Sequence, residues 1–421
     1  MSWHIPENER TYLRELARKQ AQYAALPVMD ERRQMWLDLN DGKPGARPPF
    51  IIETWTFDRD FMPEGVLRCT SEPGRGIEDQ LLRNIRNHEL IDDDKVIPNT
   101  FDIGWHTNID EFGVKIEREA IPDSDGIVTG YKFIHPIKNL KEDLHLLKPA
   151  TCSVDRDRTM KWEAFLDDLL GDLLPIEIRT GAFGCNMLTH RVIELMGMEA
   201  FFIAMYDCPD QVHQLMRFLA DNSRRVMTWA ESEGLLRLNN GNQMSFGSSY
   251  NFTTKLPQPD NDGQPVRLCD MWGNANSQET VGVAPEMFHE FCFPYYRDVC
   301  EPLGLIYYGC CEPVDAFWDD IRQLPHLKKV SISRWCDERK VADALRGTDI
   351  VFSRKPHPNF FSVDATLDED AWTKHIRETL DATRDVFVEF IVRDVYTMHG
   401  NLDNARRAVN IARREIERRR A

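Results

Sequence analysis

No uninterrupted apolar run in this chain approaches the roughly 18 residues that a membrane-spanning helix needs. A Gly-rich phosphate loop after the first apolar segment, a G-x-S-x-G elbow and an H-E-x-x-H helix are missing as well. These absences remove a membrane role and leave ATP, nicotinamide and serine-hydrolase chemistry without support. A basic excess is also lacking. The formal net charge is −17, and counterion release needs a basic face, so no nucleic-acid partner is expected. The run Arg413, Arg414, Arg418, Arg419, Arg420 falls in the last turns of a helical segment, where cations suit the macrodipole. The opening Met1-Ser2-Trp3-His4-Ile5-Pro6 is too poor in apolar residues for a secretory signal. The ten cysteines, dispersed between Cys69 and Cys336, are therefore expected to be reduced thiols of a cytoplasmic protein.

What the chain does have is length and alternation. Its 421 residues, 42% apolar and 29% charged, suffice for one large soluble core. Residues 1–45 read as a helical extension, with apolar groups at three- and four-residue spacing between charges. Such a segment caps a barrel or meets a second copy of the chain in a homodimer. Strand-like runs then follow at 50–55, 96–106, 176–179, 266–272, 303–309, 329–333, 350–355 and 386–392, with amphipathic helices between most of them. A hairpin around Asp123-Ser124-Asp125-Gly126 interrupts the pattern, and 284–301 reads as one helix. Strands alternating with helices imply parallel pairing and right-handed crossovers, and about eight units make a single α/β (β/α)8 TIM barrel over 46–421 the economical architecture.

In such a barrel the carboxyl ends of the strands carry the site, so the polar residues ending each run belong together. They include Glu53 and Trp55, Asp102 and His106, Gln243, Trp272, Cys310 to Glu312, Arg334, Lys355 and His357, then Arg393 and Asp394. Gln278 lies on the loop after the run ending at Trp272, where substrate contact is reasonable. Trp55, Trp105 and Trp272 are expected to wall the pocket, and Arg334, Lys355 and Arg393 to hold an anionic part of a substrate. The densest chemistry is Tyr308-Gly309-Cys310-Cys311-Glu312-Pro313. Alternation along a strand puts Tyr308, Cys310 and Glu312 on one face. Adjacent cysteines make a poor disulfide framework. They suit either a metal or thiolate site or two small buried side chains.

Tyr307-Tyr308-Gly309-Cys310-Cys311-Glu312-Pro313, Lys329-Val330-Ser331-Ile332-Ser333, Ser353-Arg354-Lys355-Pro356 and the Gln278-Glu279 and Ala284-Pro285-Glu286-Met287-Phe288 blocks resemble the uroporphyrinogen decarboxylase-like superfamily. The resemblance is closer to its bacterial branch related to corrinoid-dependent methyltransferases. It implies a (β/α)8 barrel and methyl or one-carbon transfer assisted by zinc, with a corrinoid carried on a partner protein. The decarboxylase's arginine motif near the first strand is absent, because Pro49 to Trp55 carries Glu53 instead. The methyltransferase His-x-Cys pair is matched at Cys310, but Tyr308 stands at the histidine position and no cysteine lies near the last strand. The zinc the resemblance implies would then need a substitute donor set, for which Cys310, Cys311, Glu312 and His357 offer thiolate, carboxylate and imidazole.

On this reading Cys310 and Glu312 are catalytic, with Asp102 or His106 handling a proton. Glu53, Trp55, Trp105, Gln243, Trp272, Gln278, Tyr308, Arg334, Lys355, Arg393 and Asp394 would contact a small-molecule substrate. Two alternatives stand beside it: a metal-independent decarboxylase or lyase acting on a small acid, and a non-catalytic tetrapyrrole- or corrinoid-binding protein.

Overall fold

A computed structural model describes residues 3–122 and 128–420. The expected turn at Asp123-Ser124-Asp125-Gly126 lies outside the described residues. Its flanking strands do pair antiparallel, Glu117 opposite Ile134.

Thirteen strands are seen among the described residues: β1 (Phe50–Ile52), β2 (Phe101–Gly104), β3 (Thr107–Asp110), β4 (Glu117–Pro122), β5 (Val128–Ile134), β6 (Thr151–Val154), β7 (Ile176–Arg179), β8 (Cys185–Asn186), β9 (Trp272–Ala275), β10 (Leu305–Tyr308), β11 (Leu327–Ile332), β12 (Val351–Arg354) and β13 (Val388–Val392). Seven of them form one sheet in the order β1, β13, β12, β11, β10, β9, β8, and every pair in it is parallel. β2 and β7 form a separate parallel pair. β7 runs on into β8 at the sheet edge within six residues, but no ladder joins the pair to β1 among the described residues. The architecture is α/β and TIM-barrel-like, and the ladders among the described residues do not join into one continuous ring.

The two faces of the sheet differ, as period-two alternation requires. One face carries Phe50, Ile52, Val330, Ile332, Phe352, Phe390 and Val392, all fully buried beneath helices, with Trp372 of the helix Glu369–Ala382 edge-on to Phe50 at 6.0 Å. The other carries Ile51, Val351 and Ile391 together with the polar Tyr307, Lys329, Ser353 and Glu389. Helix α1 (Glu7–Ala24) packs through Leu13, Leu16 and Ala17 against the helices Glu72–Arg86 and Arg156–Leu170. Helix α2 (Pro27–Asn40) inserts Trp36 against Ile51, Val351 and Ile391.

Local chemistry sets the element ends. Ser71, Asp337 and Asp368 cap their helices by accepting hydrogen bonds from Gly74 N, Arg339 N and Ala371 N. Two expected elements shift. The strand expected over 266–272 begins only at Trp272, because Asp270 accepts from Arg267 N, Gln258 N and Asn261 Nδ2 and ties the preceding residues into a 3-10 turn. The helix expected over 284–301 is two, Pro285–Phe291 and Phe293–Cys300. Pro294 lacks the N–H to continue the first and is well placed to start the second.

Candidate active site

The strand register aligns the residues that matter. Ile52 lies beside Val392, Ile332 beside Arg354 and Tyr308 beside Val330. The residues following them, Glu53, Arg393, Arg334, Lys355 and Cys310, therefore emerge at one end of the sheet.

β10 ends at Tyr308, and Gly309 then turns the chain with φ +97°. A Cβ there would sit 3.0 Å from Ser331 Cβ, so both conformation and space require glycine. The turn breaks the alternation, and Tyr308 and Cys310 do not share a face as expected. Tyr308 is buried on the helix side, its hydroxyl 2.6 Å from Ser277 Oγ and its ring edge-on to Tyr296. Glu312 also folds back. One carboxylate oxygen accepts from Cys310 N at 2.8 Å and the other from Ser277 N at 3.0 Å. Glu312 is thus a buried brace for the Cys310 turn, and burial raises its pKa.

Cys310 Sγ lies 3.6 Å from Cys311 Sγ and accepts from Arg393 Nη1 at 3.5 Å. Cys311 Sγ donates to Asp394 Oδ2 at 3.2 Å. The Cys311 thiol and the Arg393 guanidinium lower the pKa of Cys310 against the opposing effect of burial. Cys311 moves the opposite way, raised by its bond to Cys310 and by burial. Of the two, Cys310 is therefore the sulfur that gives up its proton first.

Arg393 anchors the surrounding charges. It lies 3.4 Å from Glu53 and 3.8 Å from Asp394, and Arg334 lies 3.6 Å from Asp394. Glu53 also accepts from Ser248 Oγ. Glu53 Oε1 and the Nε atoms of Arg393 and Arg334 are buried with no hydrogen-bond partner among the described residues. Lys355 is only 4% exposed. Its Nζ donates to Ser353 Oγ at 2.7 Å and stands 5.5 Å from the Tyr307 ring centre. Among the described residues no carboxylate lies within ion-pair distance of it. Burial pushes its pKa down to about 7.

Other expected residues fall elsewhere. Trp272 opens β9 and so stands at the amino end of the sheet, fully buried, with its ring 5.6 Å from Lys329 Nζ. Trp55 is 61% exposed in a turn after β1. Gln243 Oε1 accepts from Gly241 N in its own loop, and Gln278 opens a short turn after β9. Asp102 pairs with Arg179 at 2.9 Å, and His106 Nδ1 lies 3.3 Å from Thr159 Oγ1. Burial lowers the pKa of His106. These two belong to the β2 and β7 side and have no contact with the thiols. Trp105, fixed by Nε1 donating to Leu235 O at 2.8 Å, walls a cavity of about 420 Å³ on that side.

The zinc quartet does not assemble. Both Glu312 oxygens are taken by backbone N–H groups, and His357 Nδ1 accepts from Asn359 N at 3.1 Å while its ring meets Trp335 edge-on. Arg393, a fixed cation 3.5 Å from Cys310 Sγ, would oppose the charge of a metal ion on that sulfur. No group of three or more His, Cys, Asp or Glu side chains among the described residues is arranged to hold a metal ion. Cys310, Cys311, Glu312 and His357 as placed do not fit a tetrahedral zinc.

Sequence reasoning passed over Ser248, Ser353, Tyr307 and Glu389. Glu389 lies 3.1 Å from Lys329, both fully buried, and its charge acts on Lys355. A lone carboxylate inside the apolar run 386–392 was the available signal.

No family model and no curated protein matches the sequence. Among solved structures, a methyltransferase from Methanosarcina mazei is similar in fold, with a TM-score of 0.51 at 13% identity over 91% of this chain and 98% of that one. At that identity the likeness concerns the fold.

Proposed function

We propose that this protein is a methyl- or one-carbon-transfer enzyme in which the Cys310 thiolate is the soft nucleophile that receives the carbon. The observation that carries the reading is the Cys310 sulfur held between the Cys311 thiol and the Arg393 guanidinium at the carboxyl end of the sheet. A thiolate, unlike a thiol, displaces a leaving group from a methyl carbon. The Cys310 sulfur lone pair forms the new S–C bond, and the leaving group departs with the old bonding pair. Lys355, with its pKa near neutrality, supplies the proton that group needs. Arg334 and Arg393 hold an anionic portion of the donor. The corrinoid-bearing partner implied by the sequence resemblance is the proposed acceptor: the carbon would pass to it as the S–C bond breaks and the bonding pair returns to Cys310 as thiolate, and zinc has no part in the steps because the quartet does not form a donor set.

In this reading β1, β2, β7 and β9 to β13 are the eight strands of one closed (β/α)8 barrel over 46–421. β2 and β7 bridge its open edges, and residues 1–45 are its helical extension. The resemblance in fold to a methyltransferase is consistent with the proposal.

A second reading has its own observation. Lys355 is a buried amine with no carboxylate partner among the described residues, which suits a metal-independent lyase that anchors a small acid and protonates the resulting carbanion. The test is to incubate the protein with reduced free cobalamin and a panel of methylated amines, thioethers and ethers, following methylcobalamin formation and carbon dioxide. Transfer in wild type and Cys311→Ser but not in Cys310→Ser is expected. Transfer that survives in Cys310→Ser rejects the thiolate role, and carbon dioxide release without methyl transfer replaces it with the lyase.

A further inference from the structure

The cavity walled by Trp105 lies between the carboxyl ends of β2 and β7 and the helix Pro209–Ser232, and its volume of about 420 Å³ falls in the range of small-molecule sites. Phe112, Phe183, Leu188, Leu219 and Val226 complete most of its apolar wall. Four of the polar groups that line it already have partners. Thr180 Oγ1 donates to Arg237 O at 2.7 Å, and Asn222 spans Ala150 N at 2.9 Å and Glu111 O at 2.7 Å. Arg191 lies 2.7 Å from both Glu111 and Glu194. A charged guest would lose water there and find its counter-charges already paired, whereas an apolar guest loses nothing of the kind. Trp105 is held rigid by its bond to Leu235 O and by Arg237 over its ring at 5.1 Å, so the wall is formed before any guest arrives.

One wall of the cavity also stands two strands from the thiol turn. Cys185 belongs to that wall and pairs with Asn274 of β9, which pairs in turn with Tyr307 of β10, three residues before Cys310. Burial keeps Cys185 itself a thiol, its pKa pushed up to about 11.

We infer that this cavity binds the uncharged, ring-sized apolar body of a small molecule and directs its reacting end past Cys185 toward Cys310. The direction rests on the transfer reading, whereas the occupancy does not.

Indole serves as the neutral probe and indole-3-acetate as its charged counterpart, with binding measured by calorimetry on the full chain. Indole is expected to bind wild type and Cys310→Ser alike. Filling the cavity with Val226→Trp should weaken binding by about tenfold or more, and indole-3-acetate should bind wild type about tenfold more weakly than indole. Because Val226→Trp has the added risk of misfolding, a second readout uses wild type alone, in which indole at about four times its Kd should slow alkylation of Cys185 by N-ethylmaleimide by about fivefold, equivalent to about four-fifths occupancy. Absence of that protection, or equal affinity for the two probes, overturns the inference. Protection without methyl transfer in any assay leaves the cavity standing and removes the transfer reading. Transfer without protection does the reverse.

Discussion

Replacing Lys355 with methionine should stabilise the protein at neutral and acidic pH and lose that advantage in alkali. The amine is 4% exposed and makes one hydrogen bond, to a serine hydroxyl. Burial lowers its pKa from 10.5 to about 7. That gap of three to four units, at 1.36 kcal/mol each, corresponds to about 5 kcal/mol of destabilisation by the charged form. The sign follows from proton binding. Below pH 7 both folded and unfolded chains hold the proton and the full penalty is present. Between pH 7 and 10.5 only the unfolded chain holds it, so stability climbs with pH, and above 10.5 the penalty is gone. Methionine matches the length of the side chain without the charge. Urea unfolding followed by tryptophan fluorescence should therefore show the variant more stable by several kcal/mol at pH 6, with the difference shrinking steadily toward pH 10. Groups such as His190, pushed up to about 9 by its hydrogen bonds to Glu194 and Glu279, titrate in both proteins and cancel in the difference. A variant-minus-wild-type difference that is flat across this range would refute the assignment of Lys355 as the titrating amine.

Two further outcomes follow from the thiol turn. Arg393→Gln removes the cation beside Cys310, so the thiolate absorbance attributable to Cys310, taken as wild type minus Cys310→Ser, should appear only at higher pH, by about one unit. Gly309→Val places a branched Cβ at φ +97° and 3.0 Å from Ser331 Cβ, and should lower stability by about 1–3 kcal/mol in urea unfolding, with Ser331→Gly giving only partial rescue because the backbone strain remains.

The fold was legible wherever one physical signal acted alone. The strand Ile176–Arg179 forms over the residues expected, and one of the amphipathic helices expected between the strands forms as Pro209–Ser232, because a proline starts it and a long amphipathic repeat sustains it. The reading slipped where side-chain hydrogen bonds outweighed propensity. Val266 to Trp272 has the composition of a strand, but the Asp270 carboxylate gathers three donors from its own neighbourhood and holds the segment in a turn. That one local knot moved Trp272 from the end of a strand to its beginning, and so from the site to the opposite end of the sheet.

The site was legible only in part, for a related reason. Glu53, Cys310, Cys311, Arg334, Lys355, Arg393 and Asp394 follow directly from strand polarity, since each lies just beyond an apolar run and parallel register brings those positions together. What polarity cannot supply is the direction of a side chain once the strand has ended. Gly309 takes a conformation open to few other residues, and this single φ turns Cys310 toward Arg393 while Glu312 folds back onto the Cys310 and Ser277 amides. Period-two alternation extended past Tyr308 therefore groups Tyr308 with Cys310 and Glu312, whereas Tyr308 turns to the helix side and Glu312 spends both oxygens on backbone amides. The same turn that breaks up that group brings a cation and a neighbouring thiol to one sulfur, which is the arrangement a thiolate nucleophile requires.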